Sequence, residues 1–185
     1  MGNKFKKNIL DKLLLYLPLL LLFISVFNEF DFNYLNYKYF SFNFPFILIF
    51  YWSLKKIDFL GYGFIFIAGL FNDSVLGFPI GISSLTYLII CGFAAYLKNI
   101  TLRPDIIKDG LYFLFTILVA NSINYSLLVF FFSIELNYYE LTGNIVFTFL
   151  FYYIFGFMFD IYQRIVFRKK WLVVEETQVS KKLIL

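Results

Sequence analysis

The stretch of this chain best equipped for chemistry is Gly69-Leu70-Phe71-Asn72-Asp73 followed by Gly77-Phe78-Pro79-Ile80-Gly81, an isolated carboxylate set among glycines, a proline and apolar residues. On a helix, Gly69 and Asp73 lie one turn apart on the same face, so a neighbouring helix can approach at the glycine while the carboxylate meets a donor. Gly77 and Gly81 give access to backbone angles barred to larger residues, and Pro79 fixes the path between them. Three roles are open for Asp73: a plain interfacial carboxylate, a helix-packing or turn-ordering group, or a ligand- or proton-handling one.

Other polar groups are fewer. Asn121 and Asn124 are three apart and share a helix face, where they line a polar cavity or join an interhelical hydrogen-bond network. Gly156 and Asp160 repeat the four-residue spacing, and Asp160 stands four before Arg164, the spacing of a surface ion pair. Asp109 precedes an apolar run, where a carboxylate complements a helix N-terminus. The chain has no histidine and a single cysteine, Cys91, inside an apolar run, which reads as a small core residue. No G-x-S-x-G, P-loop or Cys-rich metal spacing is present. Paired-carboxylate catalysis would need Asp73 and Asp160, which the topology below sends to opposite faces. Neither an enzyme nor a cofactor is therefore expected.

The elements that must position these groups are apolar. Across 185 residues, 61% are hydrophobic and 15% charged, with 28 Phe and 15 Tyr, which excludes an ordinary soluble domain. Six segments have the length and composition of membrane helices: Leu13 to Phe27, Ser41 to Leu54, Phe59 to Asn72, Ile82 to Leu97, Gly110 to Phe132 and Gly143 to Tyr162. The first lacks a small-residue cleavage site after it and reads as an uncleaved span. Of the Lys and Arg residues, all but Lys38, Lys181 and Lys182 fall into four clusters: Lys4 to Lys12, Lys55 and Lys56, Lys98 to Lys108, and Arg164 to Lys170. With alternating spans all four clusters face one side, the positive-inside pattern, which puts both termini in the cytoplasm. The net charge of +4 then belongs to inner loops and gives no reason to expect nucleic acid.

The expected fold is all-α and polytopic, with residues 1–171 as a single integral membrane domain and 172–185 as a short cytoplasmic tail, disordered or lying along the inner surface. Tyr51, Trp52, Lys55 and Lys56 read as an aromatic and basic anchor at the cytoplasmic face. Asn28 to Tyr39 forms a polar-aromatic outer loop, and Asn72 to Gly81 a re-entrant or partly unwound outer turn.

Over roughly Leu13 to Trp171, with the informative part from Pro45 to Leu88, the chain resembles the bacterial rod shape-determining protein MreD family. A proline-led span ending in Tyr-Trp and basic residues is matched by Pro45, Tyr51, Trp52, Lys55 and Lys56. The family's Gly-Leu-x-x-Asp, Gly-x-Pro-x-Gly stretch is matched by Gly69, Leu70, Asp73, Gly77, Pro79 and Gly81, with Ser84 and Leu85 leading into the next span. Ile80 stands where leucine is commoner, and the chain is unusually aromatic. The resemblance implies a non-enzymatic protein of the bacterial inner membrane that acts in cell elongation and lateral peptidoglycan synthesis. Its implied partners are an MreC-like bitopic protein, an MreB-like filament, and a RodA-like glycosyltransferase with its transpeptidase. It also implies a six-helix fold like that of the substrate-binding subunits of energy-coupling-factor vitamin transporters. Such a vitamin-binding subunit is the competing function, favoured if Asn121, Asn124 and Asp73 converge on one pocket.

Overall fold

The structure, a computed structural model, describes residues 16–27, 41–56, 60–100, 106–132 and 138–182, with the backbone alone at 56, 138, 140 and 166–182. The expected outer loop Asn28 to Tyr39 and the side chains of Lys4 to Lys12, Lys56 and Arg168 to Lys170 lie outside the described residues.

The described residues form six helices: α1 Tyr16–Phe27, α2 Phe44–Lys56, α3 Tyr62–Leu76, α4 Ile82–Ile100, α5 Ile106–Phe132 and α6 Tyr138–Lys182. α5 and the Leu141–Ile165 part of α6 are long and apolar enough to cross a membrane, whereas α1, α2 and α3 are shorter apolar helices.

Some helix limits have a local reason. Pro45 sits in the first turn of α2, where its missing N–H costs nothing. α3 runs past Asn72 to Leu76 and stops at Gly77, which adopts the left-handed conformation (φ 68°) and donates its N–H to the Asp73 carbonyl. The Phe78 N–H also reaches the Asp73 carbonyl, at 3.0 Å. The expected unwound segment is thus a short turn over 77–81, and Asp73 belongs to the helix rather than to the loop. α6 continues through Trp171 to Lys182 instead of ending near Tyr162. No Gly or Pro follows Gly156 to interrupt it, so the expected tail is helical.

Contacts between helices fix their directions. Phe46 meets Tyr87 with ring centroids 5.9 Å apart, and Ser53 Oγ lies 3.3 Å from Cys91 Sγ, so α2 and α4 run parallel. The Asn43 N–H donates to Thr148 Oγ1 at 2.9 Å while Tyr51 reaches Asp160, so α2 and α6 are parallel too. α5 is antiparallel to α2, because Phe50 packs on Phe113 (5.1 Å) and Lys55 pairs with Asp109. The C-terminal part of α1 lies by that of α3, with Phe23 and Phe27 each 6.1 Å from Phe71. From α2 onward the directions alternate: α2, α4 and α6 run one way and α5 the other, and α3 is antiparallel to α4, with Asp73 meeting Gly81 and Phe66 meeting Ser84.

α2 is the hub. Every residue from Phe46 to Leu54 is buried, with α4 and α6 packed against it and α5 meeting it through Phe113 and Asp109. A helix apolar on all sides is one that other elements surround. Much of the aromatic content fills this centre: Phe113 stacks on Tyr152 at 4.5 Å, and Phe42 on Phe151 at 4.3 Å. Cys91 is buried there, as its apolar setting predicts.

Candidate functional site

Two polar clusters stand at opposite ends of the bundle. The first is built around Asp73, which has 0% exposure. Its carboxylate receives two backbone N–H groups from the chain beyond the turn, Gly81 to Oδ2 at 2.7 Å and Ser83 to Oδ1 at 2.8 Å. These donors belong to the start of α4, where backbone N–H groups have no partner within the helix and the dipole favours negative charge. Asp73 thus caps a helix other than its own, while its carbonyl closes α3.

The neighbouring residues support that cap. Asn72 Nδ2 donates to Ser83 Oγ at 3.0 Å, and Ser84 Oγ donates to the Phe66 carbonyl at 3.0 Å. Gly69 allows the close approach: a Cβ there would lie 2.6 Å from the Ser84 backbone nitrogen and 2.8 Å from Ser84 Oγ. Gly81 has φ 107°, as a glycine must for this path, and the Pro79 carbonyl accepts the Ile82 N–H at 3.4 Å. The result is a rigid α3–α4 hairpin whose tip displays Phe78 and Ile80, 37% and 78% exposed.

The second cluster lies at the other end. Lys55 Nζ is 3.0 Å from Asp109 Oδ2, with the side chains only 16% and 3% exposed. Tyr51 OH donates to Asp160 Oδ1 at 2.5 Å and lies 3.2 Å from Gln163 Oε1. The Lys55 ammonium sits 5.9 Å from the Tyr51 ring centroid, a cation–π distance. α2 is thereby tied to α5 and α6 by charged and hydrogen-bonded side chains.

Several expected roles change. Asp160 turns to Tyr51 rather than to Arg164, which is exposed, because the α2 hydroxyl reaches the carboxylate inside the bundle. Trp52 is 2% exposed and packs on Tyr51, Phe159 and Tyr162, so it is a core residue rather than an interfacial anchor. Lys55, expected in the basic anchor, is half-buried and paired with Asp109. Gly156 repeats the Gly69 spacing without its use, since a Cβ there would meet nothing within 4 Å.

Asp109 does lie in the first turn of α5, as expected. Asn121 is buried on α5, and the Oδ1 of Asn124 is buried with no hydrogen-bond partner. The hydrogen bonds of Asp73 run to the Gly81–Ser83 segment, not to either asparagine. Gly69, Asp73, Gly77, Pro79 and Gly81 are brought together in one hairpin, and Trp52 lies at the opposite end.

Sequence reasoning missed Asn72, Ser83, Tyr51 and Gln163 as partners in these clusters. A polar residue beside Asp73 and a Ser pair opening α4 were the available signals for the first two. Nothing local marks the last two, which meet across 112 positions. Among the described residues no group of three or more His, Cys, Asp or Glu side chains could hold a metal ion. No protein-family model, curated protein or solved structure matches the chain.

Proposed function

We propose that this chain is a six-span protein of the bacterial inner membrane, with both termini cytoplasmic, and that it serves the cell-elongation machinery as a non-enzymatic scaffold of the MreD type. Alternating helix directions, two helices of spanning length and the one-sided basic clusters support the membrane placement. The Asp73 end then faces outward and the Lys55 end faces the cytoplasm.

The observation that carries the scaffold reading is the Asp73-capped hairpin. Five of the residues that carry the resemblance, Gly69, Asp73, Gly77, Pro79 and Gly81, act together to hold one exposed apolar tip. With both carboxylate oxygens engaged by backbone donors, Asp73 serves architecture rather than chemistry. Phe78 and Ile80 are then offered to a membrane partner, an MreC-like bitopic protein or the RodA-like glycosyltransferase with its transpeptidase. An MreB-like filament would be reached from the cytoplasmic side.

The vitamin-binding reading loses its main support, because Asp73 is committed to α4 instead of joining Asn121 and Asn124. Affinity capture of the full-length protein in mild detergent, followed by mass spectrometry, separates the two. Co-purification of an MreC-like protein with the glycosyltransferase and transpeptidase is the expected result. Recovery of a coupling membrane subunit with ATPases would overturn it.

A further inference from the structure

At the Lys55 end of the bundle three cations are exposed on three different helices: Lys98 in the last turn of α4, Lys108 in the first turn of α5, and Arg164 on α6. The two described carboxylates at this end are both drawn inward. Asp109 is buried against Lys55, and Asp160 accepts the Tyr51 hydroxyl. Among the described residues, the exposed charges at this end are therefore all positive.

Their apolar neighbours identify the anion. Exposed apolar residues stand in the same helix turns: Tyr96 and Ile100 in the turn of Lys98, Ile107 in that of Lys108, and Ile161, three before Arg164, on the same face as that cation. Lys108 is two residues inside the start of α5, and Arg164 one residue before the end of the apolar Leu141–Ile165 stretch. A soluble anion would satisfy the cations and make no use of the apolar side chains in the same turns. A ligand with a phosphodiester joined to acyl chains matches both.

We propose that this rim selects anionic phospholipids, with headgroup phosphates at Lys98, Lys108 and Arg164 and acyl chains along exposed apolar side chains of the same helix turns. The inference rests on the membrane reading above. It adds a preference that a merely apolar bundle would lack, because a cation at the bilayer surface favours anionic over zwitterionic lipid by about fivefold.

The test is native mass spectrometry of the full chain from nanodiscs containing phosphatidylcholine and phosphatidylglycerol in equal parts. The wild type should retain phosphatidylglycerol in preference, and each of Lys98→Gln, Lys108→Gln and Arg164→Gln should lower that preference about fivefold. Lys98→Arg with Lys108→Arg should keep it, which separates charge from fold damage. Equal retention of the two lipids by the wild type, or an undiminished preference in the triple glutamine variant, overturns the proposal. So does equal protection against heat by soluble glycerol phosphate. A chain that enters nanodiscs without lipid preference fails this proposal alone, whereas one that stays dispersed without detergent and does not enter them fails the membrane reading.

Discussion

Lys55 and Asp109 form a buried ion pair, 3.0 Å apart, that joins the last turn of α2 to the first turn of α5. Breaking it from one side strands a charge. Lys55→Met should cost about 3 kcal/mol by leaving the Asp109 carboxylate uncompensated, whereas Lys55→Met combined with Asp109→Leu should recover most of that loss. A double-mutant cycle of unfolding in mixed micelles checks this, and two additive losses would contradict it.

Asp73 accepts two backbone N–H groups, from Gly81 and Ser83. Its replacement by alanine should destabilise the fold by about 3 kcal/mol, since hydrogen bonds to a charged acceptor contribute about 1.5 to 3 kcal/mol each. Asp73→Asn should fall between, because one amide oxygen replaces only one acceptor. Hydrogen exchange should quicken first at Gly81 and Ser83.

Gly69 and Gly156 offer a paired comparison. A Cβ at Gly69 runs into the Ser84 backbone, which cannot rotate away, so Gly69→Ala should cost about 1 to 3 kcal/mol. At Gly156 the added methyl meets nothing, and Gly156→Ala should stabilise α6 by about 0.5 to 1 kcal/mol. Thermal unfolding of the two variants should therefore shift in opposite directions.

Tyr51 and Arg164 compete as partners for Asp160, and the tyrosine has it. Tyr51→Phe should cost about 1.5 to 3 kcal/mol, the range for a hydrogen bond to a charged group. Arg164→Gln, at an exposed position, should change stability by less than about 0.5 kcal/mol. Equal losses from the two variants would restore the surface ion pair.

What was legible in the sequence was local. The four-residue spacing of Gly69 and Asp73 told of a shared face and a close helix approach, and both hold. The glycines at 77 and 81 announced a turn needing unusual backbone angles, which both adopt. Helix ends were less legible: α3 runs on because its terminal carboxylate is buried against α4, a tertiary fact that no window of sequence contains. Lys55 and Trp52 resembled surface anchors since their own neighbours read that way. The packing of α5 and α6 around α2 turned both inward. Asp160 shows the same limit, an i, i+4 partner displaced by a hydroxyl 109 positions away.

The most direct test of the scaffold proposal removes the displayed side chains and leaves the hairpin's hydrogen bonds alone. Phe78→Ser with Ile80→Ser should keep the protein folded and at its normal level, because the bonds to Asp73 come from backbone groups. Capture by a tagged MreC-like partner should then fall at least tenfold, the effect of losing about 1.4 kcal/mol of contact. Undiminished capture with normal cell shape would contradict the role given to the hairpin tip.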